Sequence, residues 1–516
     1  MNPNPLRCID RLEVGPASVG PSRVAVRYTV WRAGERAETE LVYKYEEPVF
    51  GPSDPDARNL ASMVGAQAAL NYALFCDEIV FHGDYDEDDV RLLTDMARNT
   101  NREILVNKLL APNPFVVGLS LSSEDAFALP GAKLDFPDLR AERKHGTQPW
   151  SKTQGRCAVL SSGGKESLLS YGLLDEIGCE VHPIFINESG RHWYTALNAH
   201  RTFRARVQTT GRVWTNIDRL YNWMLRHLPF VRQDFGKLRA DQYPIRLWTV
   251  AGFVFGALPL MRARGVSRLV IGDEYDTTLR LNHRGLSHYG GLYDQSRFFD
   301  RGLTRYYDRK GWGVVQFSIL RSLSELLIQK MLAERYPGLH RDQVSCHAAH
   351  LDDDRALPCG RCEKCRRVVG MLVAAGADPQ VCGYRRDQID QALDALKTRD
   401  VHQEAATAEH VLYMLAQQGR LPSDAPAARS AKAHPEVLKM RFDAERSPFD
   451  VIPPDLRGSL HRIYRQHADG AVRRSSRAWV ACDPTSQDVL QSGTSSRYHG
   501  QQRRRDAQGY AERQAR

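Results

Sequence analysis

Cys157-Ala158-Val159-Leu160-Ser161-Ser162-Gly163-Gly164-Lys165-Glu166-Ser167 is the stretch on which the fold class turns. Cys157 to Leu160 is a short apolar run that reads as a buried strand, Ser161 to Glu166 as a Gly-rich turn, and Ser167 to Ile177 as a helix stopped at Gly178. Val181 to Asn187 follows as a second strand, and strand, helix, strand is the opening of an α/β protein with a parallel sheet. Two adjacent glycines let backbone N–H groups approach phosphate oxygens with no Cβ in the way, at a helix N-terminus whose dipole favours anions. The candidate phosphate-binding set is Ser161, Ser162, Gly163, Gly164, Lys165, Glu166 and Ser167, with Ser162, Lys165 and Ser167 as the groups that neutralise phosphate charge. A mononucleotide P-loop needs glycine at 159, where Val159 stands, so the kinase-type reading of Gly164-Lys165-Glu166-Ser167 fails. The plain alternative is a Gly-rich strand-to-helix turn.

Downstream, a helical pattern through Trp248 to Arg264 stops near Gly265 and precedes a strand at Arg268 to Gly272. Asp273, Glu274 and Asp276 follow that strand, where α/β sheets bind ligands; they can position Mg²⁺ through water or simply be solvated.

Cys346, Cys359, Cys362 and Cys365 fall within 20 residues. Close Cys-x-x-Cys-x-x-Cys spacing gathers three thiolates around one point and Cys346 supplies a fourth, which suits tetrahedral Zn²⁺. An iron–sulfur cluster is the rival occupant. His347 and His350 are substitute ligands that four cysteines make unnecessary.

Ser162 to Ser167 resembles the Ser-Gly-Gly-x-Asp-Ser loop of PP-loop ATP pyrophosphatases, with Glu166 in place of the usual Asp. Cys359-Gly360-Arg361-Cys362-Glu363-Lys364-Cys365-Arg366-Arg367, with Ala375-Gly376-Ala377-Asp378-Pro379 beyond it, resembles the end of the 7-cyano-7-deazaguanine synthase (QueC) family. The similarity runs from about 156 to 385. It implies a HUP-type, doubly wound parallel sheet at 155–385, a structural zinc on the four cysteines, and ATP with Mg²⁺ as the energy source. The implied reaction is adenylation of a carboxylated deazapurine, followed by amine attack to give an amide or nitrile. Gly291-Leu292-Tyr293-Asp294-Gln295 occupies the place of the family's Gly-Tyr-Pro-Asp-Cys-Arg, which makes Asp294 a substrate contact. Tyr243-Pro244-Ile245-Arg246 resembles its Val-Pro-Gly-Arg, which makes Arg246 a contact for carboxylate or phosphate. Asp273 completes the substrate-facing set.

Residues 1–140 and 386–516 have no counterpart in the compact synthase. Longer relatives occur in prokaryotic anti-phage gene clusters, so a ligase that joins the deazapurine to a protein or nucleic-acid acceptor is a second form of the same reading. A tRNA-thiolating enzyme of the same class and a catalytically inactive nucleotide-binding module stay open. The resemblance leaves room for a homodimer.

Outside the core stretch, Val24 to Val30 and Leu41 to Tyr45 alternate as a hairpin across Gly34. Helices are expected at Asn59 to Phe75 and Asp88 to Arg98, and a strand at Glu103 to Val106, giving a separate N-terminal α+β domain over 1–140. Leu139 to Gln154 and Leu421 to Pro435 read as linkers, and Arg366 to Ala375 and Asp387 to Gln418 as helices in a helical region reaching 490. The composition, 42% hydrophobic and 26% charged over 516 residues, is that of a globular chain rather than a disordered one. The longest apolar stretch, Leu247 to Met261, is too short to span a bilayer, and the expected location is the cytoplasm. Net charge is +9, with nine Arg against four Asp and Glu between Ala471 and Arg516; residues 491–516 are expected to be a disordered basic tail.

Overall fold

The computed structural model describes residues 6–119, 121, 131–140, 150–190, 192–238, 245, 247–290, 293–476 and 478–486. The strand read at Cys157 to Leu160 is β6 (Arg156–Leu160), and the next is β7 (Glu180–Asn187), which pairs with it in parallel. The helix Lys165–Glu176 makes the crossover between them. β7 continues in parallel to β8 (Gly211–Thr215), while β9 (Arg268–Val270) adds to the other side of β6. Chain order therefore reverses at β6, and the crevice outside the carboxyl ends of β6 and β9 is the switch point where open α/β sheets take ligands. The turn Ser161 to Gly164 lies there.

β6 is buried because both its faces are covered. Ala158 packs into one apolar cluster with the helices Ala57–Ala66 and Val250–Ala263. Cys157 and Val159 pack into another with the helices Lys165–Glu176, Trp193–Arg206 and Glu325–Arg335. Alternate residues of one strand in two clusters explain the unbroken apolar run of its sequence.

The expected hairpin forms as β2 (Arg23–Arg32) and β3 (Glu35–Tyr45), with β1 (Ile9–Gly20) beside it. β3 then pairs antiparallel with β8, so the N-terminal strands extend the sheet that carries the Gly-rich loop. With β4 (Cys76–Phe81), β5 (Lys133–Asp135) and β10 (Val315–Phe317), one mostly parallel sheet has the order β10-β9-β6-β7-β8-β3-β2-β1-β4-β5. The strands β1 to β5, which fall within the N-terminal unit expected over 1–140, thus share a sheet with β6 to β9, and their buried residues share an apolar cluster with Ala158 and Val213.

Glu103 to Val106 is no strand. The helix Glu87–Ile104 runs into it, followed by a wider turn at Leu105–Leu110. An Asp86–Asp89 capping box starts that helix, and Leu92, Leu93, Met96, Ala97, Thr100, Glu103 and Ile104 continue its buried face. The short apolar run Ile104 to Val106 at a helix end has the look of a strand when read alone. Asp387 to Gln418 also departs from expectation, dividing into Arg386–Leu396 and Ala405–Gln417. Leu421 to Pro435 is docked rather than free: Leu421 and Ala425 are buried, and Ala427 N donates to Lys397 O at 3.0 Å. Beyond it a three-stranded sheet (440–442, 471–475, 478–481) joins the helices of the C-terminal region. Residues 141–149, within the first expected linker, and the tail from 487 lie outside the described residues. No helix among the described residues is long and apolar enough to cross a membrane.

Candidate functional site

The loop is held in shape by its own short side chains. Ser162 Oγ accepts from Gly164 N at 3.3 Å; Ser167 Oγ accepts from Ser162 N at 3.3 Å and donates to Gly164 O at 3.1 Å. Gly163 has φ +74°, and a Cβ there would lie 2.7 Å from Ala196 Cα and closer still to the Thr195 carbonyl. Only glycine fits. Gly164 is the N-cap of the helix Lys165–Glu176, and no side chain caps that end. Orphan N–H groups at an uncapped helix start are an anion-binding arrangement. Ser161 is buried, its N–H donating to Ile184 O at 2.8 Å.

Lys165 does not stand free. Its Nζ lies 2.6 Å from Glu325 Oε1 and also pairs with Glu166. Burial works against its charge, but Glu166, Glu325 and Glu274 overcome this and raise its pKa, so it stays an ammonium. Burial likewise opposes ionisation of Glu325, yet Arg367 and Lys165 hold its pKa down to about 2. Nothing in the sequence marked Glu325, and Arg367 entered only as the last residue of the run after the cysteines, because their importance at the loop comes from contacts made 160 and 42 residues away along the chain.

The acids after β9 divide by role. Asp273 is buried against Arg321 at 3.2 Å, and Arg321 also binds Asp300 at 2.6 Å and Gln295 O at 3.0 Å. Burial pushes Asp273 well above the usual carboxylate range against the pull of Arg321, with Asp300, Asp294 and Glu166 adding to the rise. Asp273 is thus tied into an internal network. Glu274 and Asp276 are only half-buried and are raised too: Glu274 by burial and then by Glu166 and Asp276, Asp276 to about 6 by burial and then by Glu404 and Glu325. Asp294 is 1% exposed, and its Oδ2 accepts from Thr249 N at 2.9 Å and Val250 N at 2.8 Å, which caps the helix Val250–Ala263. Arg246 lies outside the described residues.

Cys346, Cys359, Cys362 and Cys365 converge, their sulfurs all within 4.8 Å of one another. Measured pairs are 3.8 Å (Cys346 to Cys362), 3.9 Å (Cys359 to Cys365) and 3.4 Å (Cys362 to Cys365). A tetrahedral ion with bonds of about 2.3 Å to thiolates sets sulfurs about 3.8 Å apart, so the four can hold a metal ion such as zinc. The centre adjoins the loop: Val344 N, two residues before Cys346, donates to Gly163 O at 3.2 Å. Cys362 begins the helix Glu363–Ala374, which carries Lys364 and Arg367.

Comparison with models of known protein families finds no match, and comparison with curated proteins finds none.

Proposed function

We propose that the loop of residues 161–167 binds ATP and that the chain adenylates a carboxylated deazapurine resembling 7-carboxy-7-deazaguanine, for capture by an amine. The observation that carries this reading is the uncapped helix start at Gly164, reached through Gly163 with φ +74°, at the point where strand order reverses. The thiolate centre beside it is the second feature of the QueC-like resemblance, with zinc as the ion and a structural role, since four protein ligands leave no open position.

In this reading the substrate carboxylate attacks the α-phosphorus and pyrophosphate leaves; the amine then attacks the acyl carbon and AMP leaves. Alignment and charge neutralisation carry the first step. The loop N–H groups, Ser162, Ser167 and Lys165 meet the phosphates. Glu274 and Asp276, with Glu166, are the carboxylates suited to hold Mg²⁺, which would offset phosphate charge. Asp294 is left out of the substrate contacts because its oxygen caps a helix.

The test is incubation of the purified chain with ATP and 7-carboxy-7-deazaguanine, reading pyrophosphate and AMP. Release is expected. No release, with release on addition of uracil-containing tRNA, moves the assignment to thiolation. ATP binding without release under either condition makes the chain a nucleotide-binding module.

A further inference from the structure

Both side-chain partners of the loop lysine are carboxylates. Lys165 and Glu325 are 5% exposed in their side chains, whereas Glu166 is 20% exposed. A buried ammonium can pass to a phosphate only if the carboxylate it leaves has other partners. Glu325 has them. Its Oε2 accepts from Gln403 Nε2 at 2.8 Å and lies 3.5 Å from Arg367 Nη1.

These two supports come from regions otherwise without a task at the loop. Arg367 stands on the helix that begins at Cys362. Gln403 stands in the break between the helices Arg386–Leu396 and Ala405–Gln417. A break in a helix leaves backbone groups to be satisfied elsewhere, and here three successive residues turn to this site. His402 N donates to Glu363 Oε1 at 2.8 Å, and its carbonyl accepts from Arg367 at 2.5 Å. Gln403 reaches Glu325, and Glu404 pairs with Arg441 through two bonds of 2.8 Å. Departures from the local sequence pattern tend to fall where a site needs them.

We propose that Arg367 and Gln403 are positioning residues for a charge exchange: they keep Glu325 satisfied so that Lys165 can leave it for the β- and γ-phosphates of a bound nucleoside triphosphate. The inference rests on the reading of the loop as an ATP site. When the phosphates arrive, Arg367 stays with Glu325 and the partly exposed Glu166 turns to solvent or to the accompanying cation. Without Arg367, departure of Lys165 leaves a buried carboxylate with no cation, so Lys165 is retained and the phosphates lose a contact. Adenosine, which has no phosphate, is indifferent to this exchange.

The experiment is calorimetric titration of the full, metal-loaded chain with α,β-methylene ATP and, separately, with adenosine. Arg367→Gln is expected to keep its metal and its melting temperature, to bind the triphosphate about tenfold more weakly, as loss of one charged contact implies, and to bind adenosine like wild type. Arg367→Lys should recover most of the loss. Should Arg367→Gln not fold, Gln403→Leu carries the same comparison. Unchanged triphosphate affinity, or adenosine weakened in step with it, overturns the proposal and leaves the loop reading intact. A wild-type chain that binds neither ligand overturns both.

Discussion

Gly163 and Gly164 are neighbours, yet alanine at each should fail for a different reason. At Gly163 the backbone is left-handed, φ +74°, which costs an L-residue about 1–2 kcal/mol. The new methyl would also sit 2.7 Å from Ala196 Cα, against backbone that cannot rotate aside, adding about 1–3 kcal/mol of overpacking. Gly163→Ala should therefore lose about 2–5 kcal/mol, read as a lower midpoint in urea. At Gly164, φ is −82° and the nearest atoms to a Cβ are Glu166 Oε2 at 3.2 Å and Ser162 Oγ at 3.3 Å, both ends of side chains. Gly164→Ala should stay within about 1 kcal/mol of wild type, while its methyl stands beside the N–H that a phosphate oxygen must approach. A tenfold or larger loss of ATP-analogue affinity on calorimetric titration is the expectation, on the order of one charge-assisted hydrogen bond. A Gly164→Ala protein that melts and binds ATP like wild type would refute the assignment of this loop to phosphate. One with an intact loop site but a stability loss as large as that of Gly163→Ala would refute the distinction drawn from φ.

Two further outcomes follow from the surrounding groups. Cys362→Ala should lose the bound metal by elemental analysis and become less soluble; a folded variant that melts like wild type without metal would sink the structural role of the centre. Arg321→Met removes the cation shared by Asp273 and Asp300, and equilibrium unfolding should show a loss of about 3–5 kcal/mol, the cost of leaving buried carboxylates unpaired. A loss under about 1 kcal/mol would mean that the two acids do not depend on Arg321.

Much of the parallel half was legible because its pattern is local. A four-residue apolar strand, a Gly-Gly turn and a helix ending at Gly178 announce β6 and its crossover within about 20 residues, and four clustered cysteines announce their own convergence. What was illegible depends on contacts across the chain. No short-range pattern places β3 against β8, 166 or more residues further on, and the sheet continues through that junction. Asp294 has the residue type for a substrate contact, but only the tertiary fold shows its oxygen on the N–H groups of Thr249 and Val250. The break at 397–404 was hidden because both flanking segments are helical and no proline or glycine separates them.

Carboxylates around the loop can be sorted by whether a cation already answers them, and the sorting makes opposite predictions for stability. Asp273, Asp300, Glu325 and Glu404 have partners in Arg321, Lys165 and Arg441, so neutralising Glu404 strands a buried cation and neutralising any of the other three leaves its cation one carboxylate fewer. Asp276 is held at about 6 by burial and by Glu404 and Glu325, above its unfolded value of about 3.9. The folded chain therefore binds more protons than the unfolded chain between about pH 4 and 6, and this group's contribution to stability falls as pH rises through that window. Asp276→Asn should remove the fall, leaving the variant as stable as wild type near pH 4 and more stable above pH 6. The gain should be accompanied by weaker Mg²⁺-dependent ATP binding, because the burial and neighbouring acids that outweigh Arg441 and disfavour the charge in folding favour a cation. Urea unfolding at pH 4.5 and pH 7.5, beside titration of Mg²⁺ in the presence of ATP, tests both halves. An Asp276→Asn chain less stable at pH 7.5 than wild type would show that Asp276 already has a partner, and the separation of answered from unanswered acids would fail with it.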